Sequence, residues 1–115
     1  MREENKHLSS DQARHLTTHG VNQNEDGSYS WKFDNYVRSW PPYDVSARAL
    51  EQLWGRITCP NLLVVGTESW ASNPATDGRM VHFQNAEVVA IEGAGHWFHH
   101  EQLEVFLERV ADFIE

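Results

Sequence analysis

Asn61-Leu62-Leu63-Val64-Val65-Gly66 is a continuous apolar run closed by glycine, and its reading decides the fold. It has strand length and no polar alternation, the pattern of a β-strand buried on both faces. Ile57-Thr58-Cys59-Pro60 leads into it. Downstream, Glu87-Val88-Val89-Ala90-Ile91 repeats the pattern and runs into Gly93-Ala94-Gly95-His96. Between these strands Glu68 to Pro74 reads as a polar loop, and Pro74 suits the first turn of a short helix toward Phe83. Before them, Asp44 or Ser46 can start a helix that carries Leu50, Leu53 and Trp54 on one face and ends near Gly55. After them, a helix from about Glu101 to Ile114 sets Leu103, Phe106, Leu107, Val110, Phe113 and Ile114 along one stripe. The order helix, strand, helix, strand, helix implies an α/β fold with parallel strands joined by right-handed crossovers.

The first part of the chain, to about residue 45, is polar and weakly periodic. Ser10 can cap a short helix from Asp11 to about Thr18, with Gly20 as its stop. Asn24-Glu25-Asp26-Gly27 is a turn signal. Tyr29, Trp31 and Phe33 alternate with Ser30 and Lys32, which predicts an extended segment with one aromatic face. Trp40-Pro41-Pro42-Tyr43 is expected to be extended, because proline denies helix to the residue before it.

Composition narrows the function. The 115 residues fit one domain, and 40% hydrophobic with 23% charged residues is a globular balance. Seventeen acidic against 9 basic residues leave a net charge of -8, which repels phosphate backbones, so no nucleic-acid partner is expected. No polybasic patch points to a membrane surface. The single cysteine, Cys59, excludes an internal disulfide and a cysteine-rich zinc module and fits a reducing compartment. Met1-Arg2-Glu3-Glu4-Asn5-Lys6 is charged and no apolar run follows, so neither a signal peptide nor a bilayer span is expected, and the expected location is cytoplasmic.

In a parallel α/β sheet, function gathers beyond the carboxyl ends of the strands. Two loops lie there: Gly66-Thr67-Glu68-Ser69-Trp70 and Gly93-Ala94-Gly95-His96-Trp97. An imidazole held at a strand end suits proton transfer near neutral pH, which makes His96 the first candidate. His96, His99, His100 and Glu101 also suggest a metal, since His96 and His100 are four apart. His96 belongs to a glycine loop ahead of the helix, however, and no distant cluster supplies further ligands, so no metal site is expected.

These blocks together resemble the α/β-hydrolases. Ile57-Thr58-Cys59-Pro60 followed by Leu62 to Gly66 resembles their I-x-x-P-hydrophobic-G strand. Gly93-Ala94-Gly95-His96-Trp97 resembles their G-x-G-H histidine loop, and His99 to Phe106 the start of their closing helix. Order and separation both match. The resemblance covers Leu53 to Glu115 well and Tyr29 to Pro42 more loosely. It implies a partial α/β-hydrolase fold: residues 1–45 as a polar segment resembling the end of a cap region, and residues 46–115 as the C-terminal part of the core, with parallel strands and flanking helices.

By that resemblance His96 is the general base of a nucleophile–His–acid triad. Trp97 and Phe98 line or cover the pocket, or simply pack the last helix, and Ser69 and Trp70 are pocket residues. The family's acid often sits in a G-x-x-D loop, where this chain has Gly66-Thr67-Glu68-Ser69. Serine holds the aspartate position, and Glu68, one residue earlier and one methylene longer, can reach Nδ1 of His96. The alternatives are an acid at the end of an earlier strand, or none. No G-x-S-x-G nucleophile elbow is present. Ser69, Ser28 and Ser30 lack its context, and Cys59 before Pro60 reads as structural. The oxyanion-hole segment is missing too.

The expectation is therefore part of a hydrolase that cleaves an ester or related bond, opens an epoxide or removes a halide through a covalent intermediate. The chain alone is expected to be inactive. The alternative is a non-catalytic interaction module or complementing subunit. No cofactor is implied. The expected partners are a small-molecule substrate in the complete enzyme, and either a complementing N-terminal chain or further copies of this one.

Overall fold

The computed structural model describes residues 6–39 and 44–115, and the expectation of an extended Trp40–Tyr43 lies outside them. The chain divides into two compact units, residues 1–44 and 45–115.

In the first unit, helix α1 (Ser10–Gly20) starts one residue earlier than its sequence cue. Ser9, not Ser10, is the N-cap: its hydroxyl accepts from the Gln12 N–H at 3.2 Å, and Gln12 Oε1 accepts from the Ser9 N–H at 2.8 Å. This reciprocal pair needs Ser or Thr three residues ahead of Gln or Glu, which Ser9 has in Gln12 and Ser10, followed by Ala13, does not. A hairpin follows, β1 (Val21–Gln23) antiparallel to β2 (Tyr29–Trp31). Gly27 takes φ +80 in the turn, as the Asn24–Gly27 signal requires. β1 has no sequence cue, because Val21-Asn22-Gln23 lacks apolar alternation. Trp31 and Phe33 stack at 5.6 Å, and Tyr29, Trp31 and Phe33 are all exposed. Asn35–Arg38 forms a 3₁₀ turn capped by the Asp34 carboxylate.

In the second unit, α2 (Ala47–Trp54) is capped by Ser46 and ends at Gly55, as expected. β3 (Asn61–Gly66) and β4 (Ala86–Ile91) pair in parallel, in register from Asn61↔Ala86 to Gly66↔Ile91. Their burial differs from the sequence expectation. Val65, Gly66 and Ile91 are buried, while Asn61 to Val64 are half-buried and Ala90 is exposed. The sheet has two strands among the described residues, so each strand keeps an unpaired edge.

The helix expected from Pro74 is instead a turn followed by a 3₁₀ segment at Arg79–His82. Gly78 at φ +90 breaks the chain direction, and the Asp77 carboxylate takes the Arg79 N–H at 3.1 Å. Trp54 stacks on Phe83 at 5.5 Å and Gln84 binds the Gly55 carbonyl, which fastens this segment to α2.

The closing helix is broken into α3 (Phe98–Glu101) and α4 (Leu103–Ile114). Gln102 sits between them with φ -133 and ψ 58, while its side-chain amide donates to the Glu92 carbonyl at 2.8 Å. Reaching back to the end of β4 costs Gln102 its helical backbone. On α4, Phe106, Val110 and Phe113 are half-buried, whereas Leu103, Leu107 and Ile114 remain exposed. Among the described residues no helix is long and apolar enough to cross a membrane.

Candidate active site

The two loops beyond the carboxyl ends of β3 and β4 are stapled together by backbone geometry. Thr67 donates its N–H to the Ile91 carbonyl at 3.0 Å and accepts the Gly93 N–H on Oγ1 at 2.8 Å. The Glu68 N–H donates to the Ala94 carbonyl at 2.9 Å. Gly66 lies so close to the histidine loop that a Cβ there would fall 2.1 Å from the Gly95 carbonyl oxygen and 2.4 Å from that of Ala94. Only glycine fits. Gly93 adopts φ +67, which turns the chain back over the sheet. Ala94 and Gly95 are buried as a result, and His96 emerges at the surface.

A turn closed by the Ser69 N–H on the Gly66 carbonyl, 3.0 Å, aims the serine at the histidine. Ser69 Oγ lies 3.0 Å from His96 Nδ1. The hydroxyl thus takes the place at Nδ1 that the sequence reading offered to Glu68. The reason is local: Glu68 has its N–H pinned to Ala94 and its side chain exposed, while the following residue faces the imidazole. Ser69 Oγ also accepts the Ala71 N–H at 3.1 Å. Trp70 lays its ring against His96, with centroids 4.3 Å apart, and is 82% exposed.

The histidine loop has a second support. The Gly95 N–H donates to Glu101 Oε2 at 2.6 Å, so a carboxylate on α3 holds the backbone next to His96. In the sequence Glu101 reads as the start of the last helix or as a metal-ligand candidate, and nothing in its spacing announces a bond to a loop amide. Among the described residues no group of three or more His, Cys, Asp or Glu side chains converges as a metal site would require. His99 and His100 face each other at 4.2 Å, and His99 packs against Phe98 and Phe106. That desolvation, with His100 beside it, pushes the His99 pKa below the usual imidazole value.

A cavity of about 380 Å³ opens beside His96. Its walls are largely apolar, and its polar lining consists of Ser69, Ser72, Arg79 and His96 among the described residues. Of the expected pocket residues, Ser69 lines it, and so does Phe98. Trp97, 37% exposed and edge-on to His100, is not part of the wall, nor is Trp70.

What serine can do at Nδ1 differs from what a carboxylate does. A carboxylate only accepts, so it keeps the imidazole proton on Nδ1 and leaves Nε2 free as a base. A hydroxyl both donates and accepts, so it satisfies either tautomer. Ser69 orients the ring without dictating where its proton sits.

Neither a protein-family profile nor a curated protein matches this sequence. Solved structures do. An E-2-(acetamidomethylene)succinate hydrolase superposes with a TM-score of 0.79 at 21% identity, over 98% of this chain and 42% of that one. A marine microorganism esterase superposes with a TM-score of 0.56 at 24% identity, over 98% of this chain and 45% of that one. The fold is therefore a partial α/β-hydrolase fold, and the chain spans less than half the length of either neighbour.

Proposed function

We propose that these residues are the base-bearing, C-terminal part of an α/β-fold hydrolase that cleaves an ester or a related bond. The observation that carries the reading is His96 at the carboxyl end of a parallel sheet, with Ser69 Oγ 3.0 Å from its Nδ1. His96 takes the proton of a nucleophile and returns it to the leaving group. Ser69 fills the acid's position, and Glu68, exposed in the same loop, is the remaining carboxylate candidate there. Trp70, its ring against the histidine, and Trp97, the next residue in the chain, meet the substrate, a small molecule, at the surface around His96 rather than in the cavity wall. The nucleophile and the oxyanion hole come from polypeptide other than these residues, paired along the open edge of β3. The names of the two structural neighbours, a hydrolase and an esterase, agree with the bond class.

The test is complementation. The chain is mixed with an N-terminal segment of this fold that carries a serine elbow, and fluorophosphonate labelling and ester hydrolysis are followed. The chain alone stays unlabelled, the pair labels and turns over, and His96→Gln abolishes turnover. Ser69→Asp raises the rate, by up to about 10⁴-fold, because it imposes the productive tautomer. Full turnover by the His96→Gln pair, or labelling of the isolated chain, overturns the reading.

A second reading is an interaction module derived from the same fold. Serine in place of the acid favours it. Under that reading the pair assembles yet neither labels nor turns over, and Ser69→Asp changes nothing.

A further inference from the structure

We propose that His15 and His19 on α1 form a surface chelate for a divalent transition-metal ion of the zinc, nickel or copper type. The site lies in the first unit, uses no residue of the histidine loop, and stands or falls independently of the hydrolase reading.

Residues four apart on a helix stand one above the other on the same face. His15 and His19 have that spacing, and their ring centroids lie 4.5 Å apart with the planes tilted by 56°. An ion about 2.1 Å from one nitrogen of each ring sits about 3.2 Å from each ring centre, so two rings at right angles around it stand about 4.5 Å apart. Both residues are exposed, and among the described residues neither imidazole makes a hydrogen bond or an ion pair. The last torsion of a histidine is broad, so each ring can turn a nitrogen toward the ion without leaving its favoured side-chain conformation.

The surroundings favour a cation. His19 lies in the last turn of α1, where the partial negative charge of the helix end attracts positive charge. The whole chain's net charge of -8 adds to that attraction. Arg14 is the opposing charge, and it projects about 100° around the helix axis from His15. Imidazole suits zinc, nickel and copper, whereas magnesium and calcium seek oxygen. Two protein ligands leave the other positions to water, so the ion exchanges freely and is held more weakly than in a closed zinc site.

The effect of the ion is on α1 itself. This helix has 11 residues and buries none of them, so it gains little from packing. A clip across its last turn adds stability to the folded form alone. The Gly20 carbonyl at the end of that turn accepts the Lys32 N–H at 2.9 Å, which ties the clipped turn to the hairpin. His99 and His100 are the competing pair, with centroids 4.2 Å apart. They are chain neighbours rather than a turn apart, and their rings pack against Phe98, Phe106 and Trp97.

The experiment titrates the ¹⁵N-labelled full chain with zinc chloride and, separately, with magnesium chloride, and follows the histidine ring and backbone resonances. Zinc shifts the rings of His15 and His19 together and saturably, and magnesium moves neither. His19→Gln weakens the zinc response at His15 by about tenfold or more, because the second bond of a chelate forms within the molecule. His99→Gln leaves that response unchanged. The titration of the unaltered chain needs no variant to fold. No saturable zinc shift at His15 and His19 below millimolar zinc, an equal response to magnesium, or an undiminished response at His15 in His19→Gln overturns the proposal.

Discussion

At the scale of residues, the geometry of the candidate site depends on a contact between two backbones. Gly66 touches the carbonyls of Ala94 and Gly95, and that approach places Ser69 against His96. Gly66→Ala must therefore push the loops apart. The expected result is a loss of stability of about 2 kcal/mol in thermal or urea unfolding, with loss of the Ser69–His96 hydrogen bond in the folded remainder. Much of this site was legible in advance. His96 was marked by its glycines, and the G-x-x-Ser loop by the strand before it. The bond from the Gly95 N–H to Glu101 was not, since it is closed in space. The choice between Ser69 and Glu68 at Nδ1 turned on a single backbone turn that residue types alone do not encode.

At the scale of elements, both strands and α2 follow directly from apolar runs and caps, and the parallel pairing follows from their alternation with helices. Two departures in the second unit share a cause, side chains that bind backbone and divert the helix, although α4 itself covers the expected last helix to within two residues. Gln102 splits the last helix by reaching Glu92, and Asp77 with Gly78 cuts short the helix expected from Pro74. The junction of α3 and α4 carries a pH dependence. His99 has a lowered pKa from desolvation and from His100, opposed by Glu101. The unfolded chain then binds a proton more readily than the folded one, so His99 contributes stability above its unfolded value, about pH 6.5, that is lost as pH falls through the folded value. In urea unfolding from pH 7.5 to 5, the parent is expected to lose more stability than His99→Gln. Parallel curves for the two proteins would refute that origin.

At the scale of the whole molecule, the second unit is a sheet of two strands with an open edge on β3 and exposed apolar side chains, Leu50 and Leu53 on α2 and Leu107 and Ile114 on α4. Such surfaces invite pairing with more of the same fold or with another copy. The whole chain's net charge of -8 opposes self-association at low salt. Light scattering is expected to show association that grows with protein concentration and with salt, as screening removes the repulsion. A compact monomer at all concentrations and salts would speak against an open edge that needs cover.

The parallel pairing has a consequence for how fast this unit can form. Every rung from Asn61↔Ala86 to Gly66↔Ile91 joins residues the same long distance apart in the chain, so no short-range rung exists to start the ladder. The connection between β3 and β4 must close before the first sheet hydrogen bond repays its entropy. During synthesis, the β3–β4 ladder cannot form until β4 has emerged. The folding rate of the unit is therefore set less by the strands than by the connection carrying Ser72, Asp77 and Arg79, whose hydrogen-bonded triangle shortens the effective length of chain left to close.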